Sequence, residues 1–186
     1  MIAAIFSLFT AMASAATAPA GHYTIDADHS NVGFEVSHLG ISLVVGRFDK
    51  LSGTIEFNPN GASTVAVEID PSSINTKVAQ RDSHLRSADF FNVSVFPKMS
   101  FQSTAVQYDG EGNPVSMEGL LTMHGATQPV RLEITAIGAG SGPLGDVRAG
   151  YKAVGKIKRS AFGMNSLLAV AGDEVSLTLN IEAIQQ

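Results

Sequence analysis

Apolar and polar residues alternate with a period of two along most of the chain. In the segment 31–38, Val32, Phe34 and Val36 share one parity with His38, and small or charged residues take most of the other. This alternation is typical of a strand with one face in a core and the other in solvent. The pattern predicts strands over 22–26, 31–38, 43–49, 51–58, 63–70, 98–108, 115–124, 128–137, 146–158 and 175–184.

Turn residues separate these strands. Gly, Pro, Asn and Asp at 58–61 and 109–114 predict tight hairpins, and the glycine-rich segment 138–145 predicts a loop. Consecutive strands without regular strand–helix alternation indicate an all-β antiparallel barrel or sandwich. We favour a barrel, because closure removes exposed edges and gathers the apolar faces in one interior. The alternative is an immunoglobulin-like sandwich, whose Cys-Trp-Cys core is absent here.

One charged segment interrupts the alternation. Between Arg81 and Phe91, two Arg, two Asp and one His stand beside two Phe. The spacing predicts a short helix over 77–90, in which Asp82 and Arg86 form an ion pair one turn apart. A helix with an apolar side, set across a sheet, serves either as a lid or as a surface connection anchored by its aromatic residues. The sequence leaves both interpretations open.

The N-terminus has the pattern of an export signal. Residues 1–20 carry no charge, and an apolar run over 2–12 is followed by small residues. This predicts a signal peptide over 1–20, cleaved after Ala15, Ala16 or Ala18. The apolar run is short for a membrane span, and a retained anchor is the alternative. Residues 21–186 then form a single domain.

Composition argues against several functions. The net charge is −5 and no Lys/Arg run occurs, so nucleic-acid binding is not expected. Cysteine is absent and the five histidines lack the close spacing of a metal site, so no metal is predicted. Neither a Gly-x-Ser-x-Gly motif nor a phosphate-binding glycine loop is present, so no catalytic residue is predicted.

The residues on the inward-facing side of the predicted strands are candidate ligand contacts. Gly53 and Gly119 are inward positions without side chains, so the interior is expected to contain unfilled space. The predicted apolar contacts are Phe34, Val36, Phe48, Ile55, Phe57, Phe101, Met117, Leu121, Leu132 and Leu177. The alternative is that these residues form a fully packed core.

Four polar residues are candidates for the polar end of such a ligand. They are His38, Arg81, His84 and Arg159. An apolar pocket with a few converging polar groups is the usual small-molecule site, and arginine suits a phosphorylated head group. The alternative is that these residues have a structural role, in ion pairs with Asp82 or Asp89 and in hydrogen bonds at the barrel rim.

Six groups of short motifs occur in order between residues 21 and 183. They are Tyr23-Thr-Ile-Asp26 with His29-Ser-Asn-Val-Gly-Phe34, Val45-Gly-Arg-Phe48 with Leu51-Ser-Gly53, Arg81-Asp-Ser-His84 with Asp89-Phe-Phe91, Phe96-Pro97 with Phe101-Gln-Ser103, Gly119-Leu-Leu-Thr-Met-His124-Gly125, and Arg159-Ser-Ala-Phe162-Gly163. Together they resemble the YceI-like family of bacterial polyisoprenoid-binding proteins. Asn92 and Phe96 depart from the residues common in that family, and neither affects the barrel.

The resemblance implies an eight-stranded, lipocalin-like barrel with a short helical insert near one end. It also implies a periplasmic, non-catalytic protein that holds a long isoprenoid or fatty-acid-like lipid in the barrel lumen, without a permanent cofactor. The expected partner is this small lipid, with no membrane span after signal cleavage and with a homodimer as an option. The alternatives are an enzyme acting on a prenyl lipid through a histidine base and a packed structural barrel without a ligand.

Overall fold

The computed structural model describes residues 17–186, so most of the predicted signal peptide lies outside the described residues. This part of the chain forms eleven strands and one α-helix, α1 (Ala79–Arg86). The strands are β1 (Gly21–Ile25), β2 (Asn31–His38), β3 (Ser42–Phe48), β4 (Leu51–Phe57), β5 (Thr64–Ile69), β6 (Ile74–Asn75), β7 (Met99–Tyr108), β8 (Pro114–Met123), β9 (Ala126–Ser141), β10 (Val147–Lys158) and β11 (Ala171–Gln185). No helix in residues 17–186 is long and apolar enough to cross a membrane.

Eight of the strands in residues 17–186 close into an antiparallel barrel. They follow the order β1-β4-β5-β7-β8-β9-β10-β11, and β1 closes the ring by pairing with β11, where Tyr23 lies opposite Gln185. The ring follows from the alternation in the sequence, because each strand needs a shared interior for its apolar face. The predicted eight-stranded barrel is confirmed, and the sandwich alternative is wrong.

The remaining strands extend the wall at one end of the ring. After Ile25, a single 3₁₀ turn capped by the Asp26 carboxylate redirects the chain from β1 into β2. β2 then continues along β11 and forms a hairpin with β3, and Phe48 in β3 pairs with Ile74 of the short β6. As a result, β1–β2 and β3–β4 each act as one long bent strand.

Two predicted elements differ from the structure. The segment 138–145 is not entirely a loop, because β9 continues through Gly138 to Ser141 and pairs with β10. Ladder hydrogen bonds use only backbone atoms, so a glycine-rich segment can still pair with a neighbouring strand. The predicted helix is also shorter than expected, because α1 covers only Ala79–Arg86.

The main apolar cluster runs through the barrel interior to one end, and a second cluster lies at the other end. The end that carries α1, called the α1 end, contains side chains from α1, β6 and the turns around them: Ile74, Leu85, Phe91, Phe162 and Met164. The opposite end, called the Tyr23 end, contains a second cluster: Ala18, Tyr23, Phe57, Ala149 and Ala183. The predicted helical insert therefore lies near one end of the barrel.

Candidate functional site

A cavity runs through the barrel interior. Its volume is about 150 Å³, counted as the space open to the centre of a water molecule. One water needs about 10–15 Å³ on that measure, so the side chains leave a substantial part of the interior unfilled. The wall has 26 residues, of which 23 are apolar and none is charged. Its three hydroxyl-bearing residues are Ser63, Tyr108 and Tyr151.

Most of the predicted apolar contacts belong to this wall. Eight of the ten are Phe48, Ile55, Phe57, Phe101, Met117, Leu121, Leu132 and Leu177. Phe34 and Val36 lie outside the wall, because β2 extends past the ring at the α1 end. There the Phe34 ring packs against the Phe48 ring, with 5.7 Å between the centroids. The role of these ten residues as ligand contacts stays a prediction.

The two inward glycines do not provide the free space. At Gly119, an added Cβ atom would lie 2.3 Å from the Phe101 ring, which therefore fills the place of the missing side chain. At Gly53, the Ile25 Cδ1 atom lies 2.8 Å from the equivalent position. The expectation that these glycines open the interior is wrong. The cavity instead reflects the width of an eight-stranded ring, whose interior has room for a small ligand.

Hydrogen bonds around Thr76 hold α1 against the barrel. The Asp82 carboxylate is only 7% exposed and accepts from the Thr76 N–H at 2.9 Å and from the Thr76 hydroxyl. Arg81 donates from Nε to the Thr76 hydroxyl and from Nη2 to the Thr76 carbonyl, both at 2.7 Å. Arg86 donates to two carbonyls in the segment 72–74. The predicted Asp82–Arg86 ion pair is wrong, because both side chains bond to the chain that precedes the helix.

Arg159 is buried at the same end, with 5% of its surface exposed. Its guanidinium donates three hydrogen bonds of 2.7–3.0 Å to the carbonyls of Met164, Ala171 and Gly172. Burial lowers the pKa of this group. Because one side chain satisfies three carbonyls, Arg159 fixes the segment that leads into β11.

The two candidate histidines also lie at the α1 end. The Nε2 atom of His84 is 2.9 Å from the Asp89 carboxylate, and its ring meets the Phe90 ring edge to face. His38 is half-buried at the end of β2, where its backbone pairs with Ala171. None of the four predicted head-group residues belongs to the cavity wall. Their contact with a ligand head group stays a prediction.

Three tyrosines that the sequence analysis did not single out lie at the Tyr23 end, and the rings of two of them, Tyr108 and Tyr151, line the cavity. Tyr23 donates to the Pro19 carbonyl at 2.7 Å, and Tyr108 is hydrogen-bonded to the Ser63 hydroxyl. Burial raises the pKa of all three tyrosines. A signal for Tyr151 was present, because it shares the parity of Ala153, opposite the lysines of β10.

A separate polar cluster lies on the outside of the barrel. Arg148 donates to Asp26 at 2.9 Å, to Asp146 at 2.6 Å and to Glu182. A hydrogen bond between His29 and Asp26 lowers the pKa of Asp26 and raises that of His29. Asp26, His29 and Glu182 are close enough to offer atoms to a metal ion, but the Arg148 guanidinium already neutralises two of them. We therefore assign this cluster a structural role.

Known proteins resemble this chain along most of its length. It is 42% identical over 179 residues to Protein YceI of Escherichia coli O17:K52:H18, covering 94% of this chain and 93% of the relative. Protein YceI of Salmonella arizonae is 41% identical over 186 residues, covering 97% of this chain and 96% of the relative.

Solved structures share the barrel. The Campylobacter jejuni YceI protein has a TM-score of 0.70 and 31% identity, covering 81% of this chain and 90% of that protein. BcnA of Burkholderia cenocepacia has a TM-score of 0.75 at 23% identity, covering 85% of this chain and 98% of BcnA. A polyisoprenoid-binding domain from Saccharophagus degradans has a TM-score of 0.71 at 16% identity, covering 90% of this chain and 100% of that domain. The last two identities support a common fold alone.

The family model for the YceI-like domain matches residues 23–183, which is most of the chain. This range includes α1, the whole cavity wall and all the barrel strands except the first two residues of β1 and the last two of β11. Together with the identity to the curated relatives, this match shows that the chain belongs to the YceI-like family.

Proposed function

We propose that the barrel binds a long-chain isoprenoid or a similar amphiphilic lipid in its lumen and acts as a carrier. One observation carries the proposal: the cavity wall contains 23 apolar residues and no charged residue. Burying apolar surface contributes about 25 cal/mol per Å², so such a wall favours hydrocarbon over any charged metabolite. The solved polyisoprenoid-binding domain from Saccharophagus degradans has the same fold, so a barrel of this shape is compatible with that ligand class.

The wall is also adaptable. Met99, Met117 and Met123 come from two neighbouring strands and line the cavity together. Methionine is unbranched and flexible, so it adjusts to irregular apolar shapes at low cost. A long chain can therefore enlarge the lumen by moving these side chains rather than the backbone.

We propose a binding role without catalysis. A histidine base would have to lie within hydrogen-bond reach of the reacting group. The five histidines all lie outside the cavity wall, and His84 and His29 are hydrogen-bonded to carboxylates. No observation in residues 17–186 favours the prenyl-lipid enzyme over the carrier.

The cellular setting follows from the N-terminal pattern. We propose that residues 1–20 contain a signal peptide, cleaved after Ala15 or Ala16, and that the barrel domain over 21–186 is periplasmic, where a barrel with an apolar lumen can hold lipid in water. Ala18 packs in the Tyr23-end cluster, so a cut before it preserves that contact. A homodimer stays a prediction, for which β3 offers one exposed edge beyond its short pairing with β6.

The test is native mass spectrometry of the protein purified from its own periplasm. Organic extraction then releases and identifies any bound molecule. We expect a stoichiometric long-chain lipid. A mass equal to that of the protein alone, with no uptake of added prenyl lipids, would refute the carrier function and favour the structural barrel.

A further inference from the structure

A group of exposed apolar side chains lies on the outside of the barrel at the α1 end. We call this group the hairpin tip, and it consists of Leu39, Ile41 and Leu43 on the hairpin between β2 and β3, and Leu167 and Leu168 on the turn before β11. The Leu39 N–H donates to the Val170 carbonyl at 2.8 Å, which holds the hairpin and the turn side by side. Ile41 is 84% exposed and is the most accessible of the five.

The hairpin tip lies in an uncharged part of the chain. Segments 36–46 and 160–172 contain no Asp, Glu, Lys or Arg. The carboxylates that flank them are Glu35, which lies opposite Val45, and Asp173, which accepts from the N–H and hydroxyl of Ser160. The protein as a whole has 17 acidic residues and a net charge of −5, but an anionic surface meets no fixed negative charge in these two segments.

Turn formation does not explain the leucines of the hairpin tip. The His38 carbonyl accepts from the Ile41 N–H at 3.0 Å, so Leu39 and Gly40 form a two-residue turn, with positive φ angles of 54° and 68°. Asn-Gly suits such a turn best, because a left-handed backbone disfavours a bulky side chain. Leu167 also has a positive φ, of 54°. A contact with another surface accounts for exposed leucines at two such positions.

The size of the hairpin tip favours a lipid bilayer over a second copy of the chain. A stable protein interface takes about 800 Å² and about 20–30 residues from each partner. The hairpin tip offers five apolar side chains on two turns, which is too few for such an interface. A bilayer accepts a small apolar projection, because each side chain that enters its interface is removed from water.

We propose that the hairpin tip docks on the surface of a lipid bilayer, with Ile41 entering the boundary between head groups and acyl chains. This contact brings the α1 end of the barrel next to a source of the lipid that the barrel is proposed to carry. The inference goes beyond the carrier function, because docking does not require a ligand in the lumen.

The test is flotation of the purified, lipid-stripped mature protein with vesicles of phosphatidylethanolamine and phosphatidylglycerol. We expect the unmodified protein to float with the vesicles. Ile41→Asp removes an apolar side chain from the contact and adds a charge, so it should weaken vesicle binding about tenfold or more. Because Ile41 is 84% exposed, a thermal melt of this variant should match that of the unmodified protein.

Leu144→Asp is the matched control. Leu144 is 92% exposed on the turn between β9 and β10, and that turn lies at the Tyr23 end, where Ala139 and Ala149 pack. The substitution is of the same kind at an equally accessible position on the opposite end of the barrel. We expect this variant to float as the unmodified protein does. An equal loss of flotation in both variants would overturn the role of the hairpin tip.

Fluorescence gives a second measurement of the same contact. The chain contains no tryptophan, so one introduced tryptophan reports its own surroundings. We expect the emission of Ile41→Trp to shift to shorter wavelength when vesicles are added, and that of Leu144→Trp to stay unchanged. Emission from Ile41→Trp that does not respond to vesicles would contradict insertion at this position.

The remaining outcomes separate docking from the carrier function and from dimerisation. Absence of flotation by the unmodified protein, or unchanged flotation of Ile41→Asp, overturns the inference. If Ile41→Asp converts a dimer into a monomer in analytical ultracentrifugation and the unmodified protein does not float, the hairpin tip is an interface between copies. Uptake of geranylgeraniol, followed by native mass spectrometry, decides the carrier function separately. A protein that floats but takes up no prenyl lipid keeps the docking surface and loses the carrier function.

Discussion

Filling the cavity with one side chain tests where the ligand lies. Ala153 is buried on β10 and belongs to the cavity wall, whereas the next residue, Val154, points outward and is 40% exposed. Ala153→Phe places an aromatic ring in the lumen. Val154→Phe adds a similar apolar group to the outer face of the same strand, so it is the matched control.

The expected effect follows from the apolar area that the ring takes from the ligand. A phenylalanine side chain in the lumen excludes the ligand from on the order of 100 Å² of contact surface, which at about 25 cal/mol per Å² is roughly 2.5 kcal/mol of binding free energy. This corresponds to about a 70-fold increase in Kd. The cavity of about 150 Å³ receives part of the ring, so the loss in unfolding free energy should stay within the ~1–3 kcal/mol typical of overpacking.

The assay is titration of geranylgeraniol into both lipid-stripped variants, alongside a thermal melt of each. We expect Ala153→Phe to lose affinity by one to two orders of magnitude and Val154→Phe to match the unmodified protein. Unchanged affinity in a folded Ala153→Phe protein would refute the placement of the ligand in the lumen. A similar loss in both variants would point to a site on the outer surface.

Three further outcomes concern the contacts that hold the barrel. Arg159→Met leaves three carbonyls without their donor and should lower the unfolding free energy by about 3 kcal/mol, measured by urea denaturation. Asp82→Ala removes a buried acceptor, so it should lower the unfolding free energy by about 2 kcal/mol and speed hydrogen exchange in α1. Asp89→Ala breaks the exposed contact with His84 and should lower the unfolding free energy by under about 1 kcal/mol. The pKa of His29 is higher in the folded protein than in the unfolded chain, where it is about 6.5, so protonated His29 stabilises the fold at low pH. This contribution is fully present below the pKa of the unfolded chain and is lost as the pH rises through the pKa of the folded protein. His29→Gln should therefore reduce the fall in unfolding free energy between about pH 6 and pH 8, whereas an unchanged slope would exclude the His29–Asp26 contact as its source.

Strand positions were predictable because one face of each strand is buried. Alternation along β4, where Leu51 and Phe57 are buried and the residues between them alternate, marks the inward side without knowledge of the partners. The same rule fails at Gly138, because a glycine shows no preference for either face and its pairing depends on β10. Pairing across a hairpin is a property of two segments, which a single segment does not reveal.

Side-chain partners were less predictable than strands. Arg81 and Asp82 have the residue types of an ion-pairing helix, but the fold brings Thr76 beside both of them, and its hydroxyl and backbone take their hydrogen bonds. The burial of Arg159 likewise depends on the path of the segment 164–172 around it. Such contacts arise from tertiary packing, so spacing along the chain indicates the candidates and not their partners.

The crystal structure of the mature protein saturated with geranylgeraniol tests the central claim most directly. We predict continuous electron density for the chain inside the barrel, against Met117 and Leu121. An empty lumen with the lipid on the outer face of the barrel would contradict the claim that this cavity is the binding site.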